Sequence, residues 1–181
     1  LGRFILREVI YFFTHRQLLY EDAVYHNAVF VGVDENGVPR HAHKRGTAGS
    51  YKGNVSGSRP SYSFHWVGTG DTLFVFEAPI DMLSYITLHP DNWQAYSYVA
   101  LCGTSEQAVV WLLRQYAYLR EVVLCLDADK AGIEGGSRLR ESISKVGNYE
   151  IRMDSPTQKD WNEYLKAERG EEALPAQRHP G

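Results

Sequence analysis

The sequence predicts an α/β fold, in which a mostly parallel sheet is flanked by helices and preceded by a small N-terminal α+β subdomain. From residue 72 onward, short apolar runs alternate with helical patterns and recur about every 25 residues, as in repeated βαβ units. Two of these runs end directly at carboxylates, where α/β folds commonly bind ligands. The first 70 residues are instead typical of one helix followed by a β-hairpin.

The N-terminal subdomain is predicted to cover residues 1–70. Its elements are a helix, two hairpin strands, a Gly/Ser-rich loop that is mobile or tightly turned, and a third strand, at residues 3–18, 27–33, 38–44, 46–60 and 62–66. Asn36-Gly37 supplies the tight turn of the hairpin. Residues 20–25 are predicted to be a connector.

The second domain is predicted to cover residues 71–169, followed by a flexible tail at 170–181. Its strands are predicted at residues 73–76, 98–101, 122–126 and 149–153. Its helices are predicted at 79–89, from about 105 to 119, after the third strand with an end near 147, and at 161–169. Pro79 suits a first helical position and Gly147 a helix end. Thr104 with Gln107, and Asp160 with Glu163, match capping boxes.

The composition is that of an ordinary globular protein, with 181 residues, 44% hydrophobic and 23% charged. There is no apolar run of membrane-spanning length and no signal-peptide pattern. The two cysteines fall at predicted buried strand ends, which favours a reducing environment, so we expect a cytoplasmic protein. The chain starts with Leu1 in the middle of a pattern, which predicts a fragment of a longer protein.

The charges are unevenly distributed, although the net charge is only −3. Residues 38–70 contain no Asp or Glu, and their basic side chains are Arg40, Lys44, Arg45, Lys52 and Arg59. Such a basic stretch beside an acidic pocket would hold phosphates, and a solvated loop with incidental charges is an equal alternative. His41 and His43 share a strand face but make an incomplete metal site, so a solvated face is favoured for them.

Four acids are predicted to lie at one edge of the sheet: Glu77, Asp81, Asp127 and Asp129. Glu77 follows its strand directly, and Asp81 lies one helical turn later, leaning back towards it. Carboxylates that converge repel one another unless a cation joins them, and hard oxygen ligands suit Mg²⁺ or Mn²⁺. For each acid alone a simpler use stays open: helix caps for Asp81 and Asp129, an exposed loop acid for Glu77.

Four segments together resemble the motifs of a Toprim domain of the primase-like branch, over roughly residues 71–166. They are residues 77–81 (Glu-Ala-Pro-Ile-Asp), 100–104 (Ala-Leu-Cys-Gly-Thr), 126–132 (Leu-Asp-Ala-Asp-Lys-Ala-Gly) and 159–165 (Lys-Asp-Trp-Asn-Glu-Tyr-Leu). The resemblance implies a Rossmann-like sheet and a divalent-metal site for chemistry on nucleic acid. One departure is Ala78-Pro79, where the family commonly has Gly after the glutamate.

The resemblance also implies roles for individual residues. Glu77 would be a general acid/base or a metal ligand, Asp127 and Asp129 the metal-binding pair, and Asp81 an accessory ligand. Lys130 and Lys159 would contact phosphate, while Asp160 is as readily a helix cap as a functional acid. The remaining motif positions are Gly103, Thr104 and Gly132.

The N-terminal region is similar to the segment that precedes Toprim in primase polymerase cores, and to an uncharacterised domain that precedes Toprim in plasmid and conjugative-element proteins. Lys44, Arg45, Lys52 and Arg59 would then hold a triphosphate or the template backbone. The expected partners are single-stranded DNA or a primer-template, NTPs, other domains of a longer chain, and relaxosome or replisome proteins; no membrane partner is expected.

These features predict Mg²⁺- or Mn²⁺-dependent nucleotidyl transfer, most simply primase-like synthesis in a mobile-element replication or transfer protein. Three alternatives stay open: a nuclease that uses the same acids with water, a non-catalytic DNA-binding or relaxosome module, and a phosphoacceptor domain.

Overall fold

The computed structural model describes the backbone of residues 4–172 and the side chains of residues 4–170. This range contains two β-sheets and five α-helices. The helices are α1 (Arg7–His15), α2 (Pro79–Leu88), α3 (Gln107–Gln115), α4 (Lys130–Val146) and α5 (Trp161–Glu172). The strands are β1 (Leu19–Glu21), β2 (Ala28–Val33), β3 (Pro39–Arg45), β4 (Lys52–Asn54), β5 (His65–Trp66), β6 (Thr72–Phe76), β7 (Ser97–Ala100), β8 (Glu121–Leu124) and β9 (Glu150–Met153). Short 3₁₀ turns lie at Pro60–Tyr62 and Trp93–Ala95.

The first sheet is antiparallel, with the order β1-β2-β3-β4. The hairpin between β2 and β3 closes through Asp34, whose side chain accepts hydrogen bonds from the backbone N–H groups of Asn36 and Val38, each at 3.0 Å. Gly37 has a φ of +75°, which favours glycine there, whereas the φ of Asn36 is not positive. The predicted hairpin is therefore present, as the inner pair of a four-stranded sheet.

The second sheet has the order β5-β7-β6-β8-β9. Strands β6 to β9 are parallel, and only β5 is antiparallel to its neighbour β7. Strands β6 and β7 are buried along their whole length because helices cover both faces of the sheet. This confirms the predicted α/β class with a mostly parallel sheet.

Two apolar clusters enclose the second sheet. Alternate residues of β6, represented by Phe74 and Phe76, pack into a cluster that includes side chains of α1, α2 and α5. The intervening residues, Leu73 and Val75, pack into a second cluster with α3 and α4. Because successive side chains of β6 point to opposite faces of the sheet, this one strand contributes to both clusters.

Several predicted boundaries differ from the structure. The predicted helix at 3–18 is the shorter α1, the predicted connector contains β1, and the Gly/Ser-rich loop contains β4. The predicted strand at 62–66 divides into a 3₁₀ turn and β5. Strands of two or three residues depend on distant pairing partners, which a local pattern does not reveal.

Helix ends also differ. The predicted capping box at Thr104 is wrong, because α3 begins after Glu106, whose side chain makes no capping hydrogen bond. Helix α5 continues to Glu172, and the remainder of the predicted tail, residues 173–181, lies outside the described residues. Within residues 4–172, no helix combines the length and apolar character needed to cross a membrane.

Candidate active-site cleft

Glu77 and Asp127 meet at the carboxyl edge of the second sheet. They follow the neighbouring parallel strands β6 and β8, in which Val75 is the register partner of Leu124. The backbone N–H of Asp127 donates to Glu77 Oε1 at 3.3 Å. Two acids that are fifty residues apart in sequence therefore share one rim, as the strand-end pattern predicted.

Burial and neighbouring carboxylates favour the protonated forms of this pair. Burial raises the pKa of Asp127 to about 7, with further contributions from the charges of Glu77 and Asp160. Burial likewise raises the pKa of Glu77, and the charge of Lys52 partly opposes that rise. Asp127 Oδ1 is buried and has no hydrogen-bond partner among the described residues. A buried carboxylate oxygen without a partner is a candidate ligand for a cation.

Asp81 lies behind this pair, in the first turn of α2, with only 7% of its surface exposed. Burial raises its pKa to about 7, and the charges of Asp160 and Asp127 add to the rise. Its Oδ1 accepts a hydrogen bond from the backbone N–H of Asn162 at 3.2 Å. The Asn162 side-chain amide donates to Ser84 Oγ at 3.0 Å, so polar contacts tie α2 to α5 beneath the cleft.

Asp129 is the N-cap of α4. Its exposed side chain accepts a hydrogen bond from the Gly132 N–H at 2.8 Å. A Cβ on Gly132 would lie 2.1 Å from the Asp127 carbonyl oxygen, so only glycine allows the first turn of α4 to lie this close to the backbone of Asp127. The charge of Asp129 helps to raise the pKa values of Glu77 and Asp127, which places it near the rim, although it does not line the cleft.

Asp160 and Trp161 fix the start of α5. Asp160 accepts a hydrogen bond from the Glu163 N–H at 2.8 Å, as its capping pattern predicted, and it also lines the cleft. The Trp161 indole N–H donates to the carbonyl of Cys125, the residue directly after β8, at 3.1 Å. These contacts anchor α5 beside the acids.

Within residues 4–172, no group of three or more His, Cys, Asp or Glu side chains is arranged so that it could hold a metal ion as it stands. The four predicted acids are neighbours, but they do not form a preassembled cage. The donor set still suits a hard divalent cation, because it contains an unpartnered carboxylate oxygen and acids whose pKa values are raised by burial and mutual repulsion.

Basic side chains of the first sheet face these acids across a cleft of about 900 Å³. Arg45 from the end of β3, Lys52 from β4 and Lys159 from the loop before α5 line it together with Glu77, Asp81 and Asp127. Gly103 and Thr104 are exposed at the same cleft. The turn at residues 46–51 pairs β4 with β3 so that Arg45 lies opposite Lys52, and both side chains line the cleft.

Three predicted phosphate-binding residues are not in the cleft. Lys44 points to the other face of β3 and lies 3.8 Å from Asp22. Arg59 lines a separate groove of about 730 Å³ beside β1 and β3. Lys130 has a side chain that is 90% exposed and lies 3.7 Å from Glu134.

Other polar residues of the cleft were not predicted as site residues: His43, Asn54 and Asn162. His43 and Asn54 come from β3 and β4, and Asn162 from α5. Asn162 lies in a segment that resembles a Toprim motif, so that motif was an available signal. Asn54 lies in the N-terminal region that is similar to primase polymerase cores, so that similarity was the available signal for it.

A Toprim-like family model matches residues 74–165. A second model, described as a protein of unknown function (DUF3991), matches residues 2–70. No curated protein matches the chain.

Solved primase structures share the fold. The primase fragment of the bacteriophage T7 primase-helicase protein is 19% identical, with a TM-score of 0.69 over 93% of this chain and 68% of that chain. The DnaG primase catalytic domain bound to ssDNA is 17% identical, with a TM-score of 0.63 over 94% and 69% of the two chains. The E. coli primase catalytic core is 17% identical, with a TM-score of 0.55 over 92% and 57%.

The strand-end acids, the parallel sheet and a family match over half of the sequence agree with one another: this chain belongs to the Toprim-like family.

Proposed function

We propose that this chain catalyses divalent-metal-dependent phosphoryl transfer on nucleic acid, and that its reaction is primase-like nucleotidyl transfer. The observation that supports this most is the two-sided cleft, with carboxylates on one wall and Arg45, Lys52 and Lys159 near them. A phosphate ester needs both, because cations neutralise its oxygens and carboxylates hold the metal. The structural likeness to a primase domain bound to ssDNA is consistent with a nucleic-acid substrate.

In this proposal Asp127 and Glu77 would hold Mg²⁺ or Mn²⁺, with Asp81 and Asp129 as nearby supporting acids. When bound, the ion would neutralise phosphate charge and lower the pKa of an attacking hydroxyl. Arg45 and Lys52 would bind phosphate oxygens and orient the nucleotide or template backbone. Glu77, half-buried with a raised pKa, is suited to accept a proton from the hydroxyl.

The test is primer synthesis on single-stranded DNA with labelled NTPs and Mg²⁺ or Mn²⁺. Asp127→Asn should abolish the product, whereas Lys130→Ala, on a side chain that points into solvent, should retain it. Product that survives Asp127→Asn would defeat the assignment.

Two assays separate this reaction from its alternatives. Nicking of plasmid DNA in the absence of NTPs would indicate a nuclease, with water replacing the hydroxyl at the same acids. DNA binding that is unchanged in EDTA, without any turnover, would indicate a non-catalytic binding module.

We also propose a division of labour along the chain. Residues 1–70 would supply Arg45 and Lys52 of the phosphate-binding wall, and residues 71–169 would supply the carboxylates and Lys159. The setting would be a cytoplasmic replication or transfer protein of a mobile element, which acts with other domains of a longer chain or with relaxosome or replisome proteins. A pull-down with the intact protein from cells that carry such an element would test the setting.

A further inference from the structure

His43 is a buried polar residue of the cleft that the mechanism above does not use. It lies on β3 with 7% of its surface exposed, and it lines the cleft together with Arg45 and Lys52. Arg45 is two residues further along β3, so the two side chains leave the same face of the strand. A histidine thus stands beside the proposed phosphate ligands.

Hydrogen bonds fix the tautomer of His43. The Asn54 side-chain amide donates through Nδ2 to the Cys102 carbonyl at 2.9 Å. A carbonyl oxygen can only accept, so Asn54 Oδ1 is the atom that faces His43 Nδ1, at 2.7 Å. Oδ1 in turn can only accept, and the proton of the imidazole therefore lies on Nδ1.

The other ring nitrogen of His43 is left as an acceptor. Burial lowers the pKa of His43, and the hydrogen bond with Asn54 only partly opposes this. The charges of Arg45 and Lys52 add to the lowering, so the ring is neutral near pH 7. Nε2 makes no hydrogen bond with the described residues, and it is not among the polar atoms that are sealed from solvent. The basic residues beside it offer only donors, so His43 is the acceptor of this wall.

The spacing suits a nucleotide. Side chains two residues apart on one strand face are separated by about 6.6 Å. A sugar hydroxyl and the 5′-phosphate of one nucleotide are separated by a comparable distance, so a phosphate on Arg45 would place the sugar near His43. Building on the proposed function, we infer that His43 Nε2 accepts a hydrogen bond from the 2′-hydroxyl of a bound ribonucleotide. The cleft thereby prefers ribonucleotides to 2′-deoxyribonucleotides.

The experiment uses two variants of His43, each of which keeps one of the two hydrogen-bonding positions of the imidazole ring. In His43→Asn the amide can still donate to Asn54 but has no group at the position of Nε2. In His43→Gln the longer side chain can place its carbonyl oxygen at that position and loses the donor to Asn54. The dissociation constants of ATP and of 2′-deoxy-ATP are measured by calorimetry in Mg²⁺ for the full chain and both variants.

Wild-type protein should bind ATP more tightly than 2′-deoxy-ATP, by roughly three- to tenfold, as expected for one hydrogen bond. His43→Asn should bring this ratio close to one, mainly by weakening ATP, and His43→Gln should retain it. An unchanged ratio in His43→Asn would overturn the role of His43 and leave nucleotide binding intact. Failure of wild-type protein to bind either nucleotide would overturn this inference and nucleotidyl transfer together.

Discussion

Replacing Asp81 with asparagine should stabilise the protein at alkaline pH and have much less effect in acid. Folding buries this carboxyl and raises its pKa from 3.8 to about 7. Between these values the folded state keeps a proton that the unfolded state has released. Native protein then binds more protons than unfolded protein, so stability falls as pH rises through this window.

The size of the effect follows from the same two pKa values. Compared with a carboxyl whose pKa does not change on folding, Asp81 lowers the free energy of unfolding by about 1 kcal/mol at pH 4.5 and by about 4 kcal/mol at pH 8. Asparagine resembles the protonated acid in shape and keeps an oxygen for the Asn162 N–H. The variant should therefore gain up to about 3 kcal/mol more at pH 8 than at pH 4.5.

Urea unfolding of wild type and Asp81→Asn at both pH values, in EDTA, measures this difference directly. Asp91→Asn is a matched control on an exposed acid, and it should leave the free energy of unfolding nearly unchanged at pH 8 because it removes no buried charge. If Asp81→Asn shifts the free energy of unfolding equally at both pH values, Asp81 is not held protonated by burial, and the reasoning fails.

Three other outcomes can be checked. Gly132→Ala should destabilise by about 2 kcal/mol or more in urea unfolding, because its Cβ would press on the Asp127 carbonyl, while Gly103→Ala meets nothing within 4 Å and should be nearly neutral. Mg²⁺ should raise the melting temperature of wild type but not of Asp127→Asn in thermal scans, because removing the charge removes the cation ligand. Lys52→Ala should weaken single-stranded DNA binding and lower its salt slope by about one, and Lys130→Ala should change neither in fluorescence titrations.

The acids could be predicted from the sequence because their placement follows from strand order. Glu77 and Asp127 each end a short apolar run, and parallel strands bring such ends to one edge. The capping pattern at Asp160 was similarly local, since it requires only residues three apart. Each signal is read from residues that are close in sequence, and the regular βαβ alternation predicts the parallel pairing that brings the strand ends together.

The basic wall could be predicted only in part. The composition of residues 38–70 predicted that the whole stretch is basic and could bind phosphate. Strand alternation, however, decides which of its side chains face the acids. Arg45 faces the cleft and Lys44 does not. Lys52 in turn lies opposite Arg45 because β4 pairs with β3, and the three residues of β4 carry no recognisable strand pattern.

The two histidines were predicted wrongly as a solvated face. His41 and His43 are both buried, because the four-stranded sheet packs its inner face against the rest of the molecule. Burial, and secondarily the proximity of His43, lower the pKa of His41 to about 4. A polar residue alternating in a strand gives no sign of which face will be covered, so this outcome required the tertiary structure.

Strand β5 has a practical consequence for cutting the chain into pieces. Residues 65 and 66 precede the predicted domain boundary at 70, yet they form the outermost strand beside β7. A truncated protein beginning at residue 71 would present the bare flank of β7 to solvent and invite self-association. Expression of the carboxylate-bearing half alone should therefore start upstream of Ser63, so that β5 is present and covers the edge of β7.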